Sequence, residues 1–381
     1  MPLRVLYVFT ARKRGLVAAV ERGEAPDTLL FGLNHVAAHG IDAAFHEPDY
    51  GRVGRVFARQ VGRLGPDALQ LRTLPRFTDY DVVFLTGAWP LLLAARAIPA
   101  HRRPKLVWLN MTLTNLIRRG GWRARAVTMA VRHADRIVCV AEFQRRFLHE
   151  RLGIPYHRLP LCLSGTDVDF YDPSMAAGPP KSNANELAGK GVVLAAGRDA
   201  GRDYGTLVRA SRDASYQLRL VCSPRNVRDV TLPPTAVVRY DISQIELRDE
   251  YAASDVVVVP TQGDGSTTGS DCSGTLVLLD ALAMARPAII TDRESVGDYL
   301  PAVRSAAPQA RALPGIGALR VPAGDPAALR DGVGWVLAER GDAQLLAEEG
   351  QAHVHEHLTT RHFASRVAAV FHEVASSRGA P

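Results

Sequence analysis

Apolar residues along this chain fall into short runs rich in β-branched and aromatic side chains, separated by longer stretches in which they recur at helical spacing. The runs read LRVLYVFT, DVVFLTG, KLVWLN and RIVCVA in the first part, then GVVLAAG, LRLVCS, DVVVVPT and PAIITD. Their hydrophobicity is continuous rather than alternating, so each predicts a strand buried on both faces, as in a parallel sheet covered by helices. The series breaks once, at 172–191, where DPSMAAGPPKSNANELAGKG is rich in Pro, Gly, Ser and Asn. The pattern predicts an α/β chain of two doubly wound domains joined by that linker. Ligands of such sheets bind beyond the carboxyl ends of the strands, and two facing domains would enclose a cleft. A last segment, about 340–375, is helical by pattern and can cross back to the first domain.

Length agrees with this division, because 381 residues exceed what one ordinary core organises. Charge adds a local feature. The chain carries 46 Lys/Arg and 39 Asp/Glu, a surplus of +7, yet residues 96–158 alone hold 14 basic and 3 acidic residues, or +11. The remainder is therefore −4. A basic face of this kind suits phosphate, acidic lipid head groups or nucleic acid, or consists of solvated arginines. No nucleic-acid-binding motif accompanies it, so nucleic acid is not an expected partner. In the same region IRRGGWRARAVTMAVRHADR sets Arg118, Arg119, Trp122, Arg123 and Arg125 near a helix, compatible with an anionic membrane surface, an acceptor-site helix or plain surface. The cysteines Cys139, Cys162, Cys222 and Cys272 are too scattered for a disulfide framework or a zinc site, and three of them read as buried thiols. No apolar run reaches the roughly 18 residues of a spanning helix, and the N-terminus reads as a strand rather than a secretory signal, so a cytoplasmic protein is expected.

Several segments, in order, resemble one family. LCLSGTDVDFYDP is similar to the segment that ends its first domain; AAGRDAGRDYGTLVRA to the first strand and loop of its second. ELRDEYAASDVVVVPT, LVLLDALAMARPAIITD and RVPAGDPAALRDGVGWVL follow in the family's order. The chain thereby resembles the retaining glycosyltransferases of family 4, which have the GT-B fold: two Rossmann-like domains facing across a cleft. The resemblance implies an acceptor-binding domain at 1–175, a nucleotide-sugar-binding domain at 176–355 and a C-terminal helix at 356–381. It implies a nucleotide diphosphate sugar as donor, a small-molecule, glycan or lipid acceptor, and neither cofactor nor metal.

Such an enzyme must stabilise a departing diphosphate, for which pre-placed cations and backbone N–H groups serve best. Arg198 and Arg202, in the loop after a predicted strand and just past Gly197, match the family's diphosphate-binding pair, although the loop is one residue shorter; they can instead pair with Asp199 and Asp203. The helix opening at Ser273, Gly274, Thr275 and Leu276 offers unpaired N–H groups to an anion, or is an ordinary capped start. Asp280, five residues beyond Thr275 and so about 7.5 Å along the axis, stands at the family's ribose-binding acid. The family's other acid, on the donor sugar, falls on Cys272, with Asp271 adjacent. Asp264 is a further stand-in for that contact. Asn110 and Thr112 occupy the place of a first-domain His. Arg12, Lys13 and Arg14 can meet a phosphate or acidic acceptor, or are solvated. The base is expected near CSPRN and VRYDIS. His353 and His357 have i, i+4 spacing but no third ligand close by, and read as a solvated helix.

Overall fold

The structure is a computed structural model that describes residues 2–48, 70–176, 191–300, 313–315 and 317–377. Its contacts divide the chain into two compact units. One comprises Met1–Arg22, Asp27–Leu163 and Thr360–Pro381; the other comprises Gly23–Pro26 and Ser164–Thr359.

The first unit is built on a five-stranded sheet of β1 (Leu3–Val8), β2 (Ile41–His46), β3 (Val82–Leu85), β4 (Lys105–Asn110) and β5 (Arg136–Cys139). Its order is β2-β1-β3-β4-β5, and every neighbouring pair is parallel. All four residues of β3 are buried, as its unbroken apolar run requires. The chain leaves β1 for one edge and returns to the other side of β1 at β3. The loops after β1 and β3 therefore diverge and open a crevice at the carboxyl edge.

The second unit holds seven strands: β6 (Val192–Ala196), β7 (Gln217–Val221), β8 (Val237–Arg239), β9 (Val256–Val259), β10 (Ala288–Thr291), β11 (Leu313–Gly315) and β12 (Ala318–Val321). Their order is β11-β12-β10-β9-β6-β7-β8, parallel except for β11 against β12. The same reversal occurs here: β7 and β8 lie on one side of β6 and β9 on the other, so the switch point falls between β6 and β9.

All eight strands expected from apolar runs are present. The others, β2, β8, β11 and β12, lie at or near sheet edges. In β2 one residue of six is fully buried, and such a strand needs no continuous apolar run. The expected linker needs a correction: the units divide at Leu163/Ser164, before 172–191, of which 177–190 lie outside the described residues. The segment expected to close the first domain packs instead within the second unit. Thr166 N–H donates to the Leu358 carbonyl at 2.9 Å, and Tyr171 meets Tyr251 edge-to-face at 5.8 Å. The C-terminal helix Thr360–Ser376 belongs to the first unit, where Phe371 packs edge-to-face on Phe84 at 5.3 Å and on Tyr7 at 6.0 Å.

Candidate active site

In the second unit the loops after β6 and β9 meet at the switch point. The β6 loop is stitched to the exit of β9 by Asp203 N–H to the Pro260 carbonyl at 3.0 Å and Gln262 N–H to the Gly201 carbonyl at 2.9 Å. It is also clamped to the segment before the helix Thr275–Ala283. One Asp199 oxygen accepts from Gly201 N–H at 2.7 Å and from Ser273 Oγ at 2.8 Å, and the other accepts from Ser270 N–H at 3.1 Å. Asp203 caps the next helix, taking Thr206 N–H at 3.0 Å and Thr206 Oγ1 at 2.6 Å. Both carboxylates thus hold backbone and hydroxyl groups rather than Arg198 and Arg202, which sets aside the pairing that the sequence left open.

The arginines differ. Arg198 is half exposed and lies 3.2 Å from Asp241. Arg202 is 7% exposed, and its Nε and Nη1 are buried without a hydrogen-bond partner among the described residues. Its guanidinium lies between two glycines that only glycine can supply. A Cβ on Gly197, at φ 135°, would come within 2.5 Å of Arg202 Nε, and one on Gly274, at φ 97°, within 3.0 Å of Nη1 and 2.8 Å of Val259 Cγ1. Gly274 is the N-cap of the helix Thr275–Ala283, and no side chain caps that start. A buried cation with unused donors beside an uncapped helix N-terminus is a site for an anion.

Ser273, Gly274 and Thr275 are buried around this point and Leu276 is half-buried, so the structure brings Gly197, Arg202 and the helix start together. The segments expected near the base also converge here. Arg225 Nη2 donates to the Arg198 carbonyl at 2.7 Å, Asn226 Nδ2 to the Asp199 carbonyl at 2.9 Å, and Asp241 pairs with Arg198. Asp199, Arg225, Asn226 and Asp241 were not singled out as site residues, because their partners lie far away in sequence.

Asp280 has a separate environment. Its carboxylate accepts from Thr166 Oγ1 at 2.5 Å and from the Tyr171 hydroxyl, among the side chains of Tyr251 and Asp167. Burial, offset in part by these hydrogen bonds, pushes its pKa up to about 7. A ribose reaching it must use the remaining acceptor capacity or displace a hydroxyl. Cys272 is half-buried, outside any disulfide and close enough to Tyr299 for a charge on it to be felt there. Asp271 is fully buried and its carbonyl accepts from Arg293 Nη2 at 2.9 Å, while Asp264 holds Arg293 Nε at 3.2 Å. The other three cysteines are buried as expected, and burial raises Cys162 to about 12 and Cys222 to about 11.

The first unit has a cavity of about 200 Å³ at its own switch point, lined among others by Thr10, Thr86, Trp89, Trp108, Thr112 and Arg123. The Trp89 indole N–H is buried there without a partner among the described residues. Asn110, at the end of β4, accepts with its Oδ1 from the Leu113 N–H at 3.0 Å, while its Nδ2 is buried without a partner among the described residues. Arg12 is exposed, but Lys13 is not available to an outside anion. Its ammonium sits over the rings of Phe9 at 5.4 Å and Phe31 at 5.8 Å, and burial lowers its pKa. His353 Nε2 donates to the Tyr299 carbonyl, 2.8 Å away, and no cluster of metal-ligating side chains occurs among the described residues. No helix among them is long and apolar enough to cross a membrane.

The family model for Glycosyltransferase Family 4 matches residues 34–170, chiefly the first unit. No curated protein sequence matches the chain. Solved structures share its fold over nearly the whole length. Sucrose-phosphate synthase from Thermosynechococcus elongatus is 15% identical with a TM-score of 0.67, covering 98% of this chain and 100% of its own. Anabaena Alr3699/HepE, solved in complex with UDP-glucose, is 11% identical with a TM-score of 0.67 over 97% and 100%. The α,α-trehalose 6-phosphate synthase of Burkholderia multivorans is 13% identical with a TM-score of 0.67 over 99% and 100%. The chain thus has the GT-B fold in both units, and its residues 34–170 match the family 4 glycosyltransferase model.

Proposed function

We propose that this protein is a retaining transferase that moves a glycosyl group from a nucleotide diphosphate sugar, held on the second unit, to a hydroxyl of a small-molecule, glycan or lipid acceptor held on the first. The observation that carries this reading is the buried Arg202 guanidinium, unpartnered at Nε and Nη1, beside the uncapped helix start at Gly274. As the bond from the sugar's C1 to the diphosphate oxygen breaks, the electron pair stays on the diphosphate. Arg202 and the helix N–H groups stabilise that charge more than the ground state, which is where acceleration arises. The acceptor oxygen bonds to C1 on the face that the diphosphate leaves and gives its proton to a phosphate oxygen, so neither an enzymic base nor a metal is required. Asp280 contacts the ribose. Calorimetry with UDP, GDP, ADP and TDP tests the reading. One of them should bind, and silence from all four would refute it.

The exposed residues Trp122 and Met129 are seven apart on the helix Gly121–Val131 and so share a face, with Arg118, Arg119 and Arg125 also exposed nearby. An apolar tip rimmed by arginines suits peripheral contact with an anionic membrane at the cytoplasmic side. Sedimentation with phosphatidylglycerol vesicles, lost on Trp122→Ser, tests that contact. A non-catalytic protein that binds nucleotide sugar or scaffolds a partner transferase is the second reading. It is favoured by Cys272 where the family has an acid and by Asn110 where it has a His. Donor binding without transfer or hydrolysis, across a panel of sugars and acceptors, would select it.

A further inference from the structure

The first unit has a second cavity on the carboxyl edge of its sheet, of about 620 Å³, lined by Arg12, Arg14, Phe45, His46, Glu47 and Arg76 among others. It lies where β2 ends and shares the segment after β1 with the switch-point cavity: Thr10 lines one, Arg12 the other. Its charge is one-sided, with three guanidinium groups against one carboxylate. That carboxylate is already committed. Glu47 Oε2 accepts from the N–H groups of Lys13 and Arg14, and Oε1 lies 3.4 Å from Arg14 Nε. It therefore neutralises Arg14 and the helix start, and leaves Arg12 and Arg76. Arg76 donates to the Tyr80 hydroxyl at 3.3 Å, and among the described residues neither Arg12 nor Arg76 has an acidic partner. Two forked cations at the rim of a cavity of this size match the tetrahedral oxygens of a phosphate group, to which they can donate in pairs.

We propose that this cavity binds a phosphate group on the acceptor, with Arg12 and Arg76 as its donors, so that the protein glycosylates a phosphorylated alcohol. The assignment rests on the reading that the first unit holds the acceptor. A soluble sugar phosphate and a phospholipid head group share this chemistry. The test is calorimetry of the full chain at fixed ionic strength with glucose 6-phosphate, with glucose as control, alongside sedimentation with vesicles of phosphatidylglycerol in phosphatidylcholine. UDP is titrated into the same samples. Arg12→Gln and Arg76→Gln, both at exposed positions, should each weaken binding of the phosphate-bearing probe about tenfold, with Arg76→Lys in between and UDP affinity unchanged. Loss confined to the soluble ester assigns a soluble acceptor; loss confined to the vesicles assigns a lipid; either supports the site. Equal affinity of wild type and both glutamine variants for both probes overturns it. Arginine-dependent phosphate binding in a protein that ignores every nucleotide would overturn the transferase reading and leave this site standing.

Discussion

Arg202 and Asp280 are two buried ionisable side chains with opposite consequences. A buried guanidinium with unpartnered donors costs the folded protein and waits for an anion. Arg202→Met, of similar length and apolar, should therefore raise the stability by about 1 kcal/mol, read as a higher urea midpoint, while weakening UDP far more than uridine. A lower midpoint would mean that the guanidinium is structural. Arg198→Ala, at an exposed position paired with Asp241, should cost UDP binding only severalfold. Asp280 titrates instead. Its folded pKa of about 7 lies above the ordinary 3.8, so the folded state holds that proton more tightly than the unfolded chain. The contribution is full below about pH 4 and is lost as pH rises to about 7, by about 4 kcal/mol at most. Asp280→Asn should flatten the stability profile between pH 4 and 8. Urea midpoints for wild type and variant that run parallel over that range would refute it.

The elements around the donor site act through their joints. The helix Thr275–Ala283 can face an anion only because its cap is a glycine with φ of 97°. Gly274→Ala adds a Cβ 2.8 Å from Val259 Cγ1, so it should cost about 1–3 kcal/mol and abolish UDP binding. Asp199 joins the β6 loop to the start of that helix through two hydrogen bonds, from Ser270 N–H and Ser273 Oγ, and braces its own loop through a third from Gly201 N–H. Asp199→Ala should lower stability by about 2 kcal/mol and loosen UDP binding, whereas a stability loss with unchanged affinity would limit Asp199 to folding. The Gly-Arg pair, the helix opening at 273–276 and the acid at 280 were legible because each is a local pattern, whereas the lack of a side-chain cap at that opening was not. The clamp was not: Asp199 lies 71 and 74 residues from Ser270 and Ser273, and its sequence neighbours suggested an arginine partner.

At the scale of the whole molecule, the chain ends in the unit where it begins. Phe371, Val367, Ala364 and Phe363 of the last helix are buried, and Phe371 closes an aromatic cluster with Tyr7 and Phe84. Phe371→Ala should cost the first unit about 3–5 kcal/mol and leave UDP affinity on the second unit intact. Urea unfolding followed with and without UDP checks this: only the transition insensitive to UDP should move to lower denaturant.

By itself the sequence determined the elements and their class. Runs such as VVFL and VVVV cannot be solvated on either face, and that alone dictates central parallel strands flanked by helices. It also placed the cations and glycines in loops that follow those strands. Only the tertiary structure decided the strand order, and with it the switch points where those loops open. It also decided that the segment 164–171 joins the second unit and that Asp280 meets Thr166, 114 residues away. These outcomes depend on which distant surfaces bury each other, a cooperative choice that no local window of sequence contains.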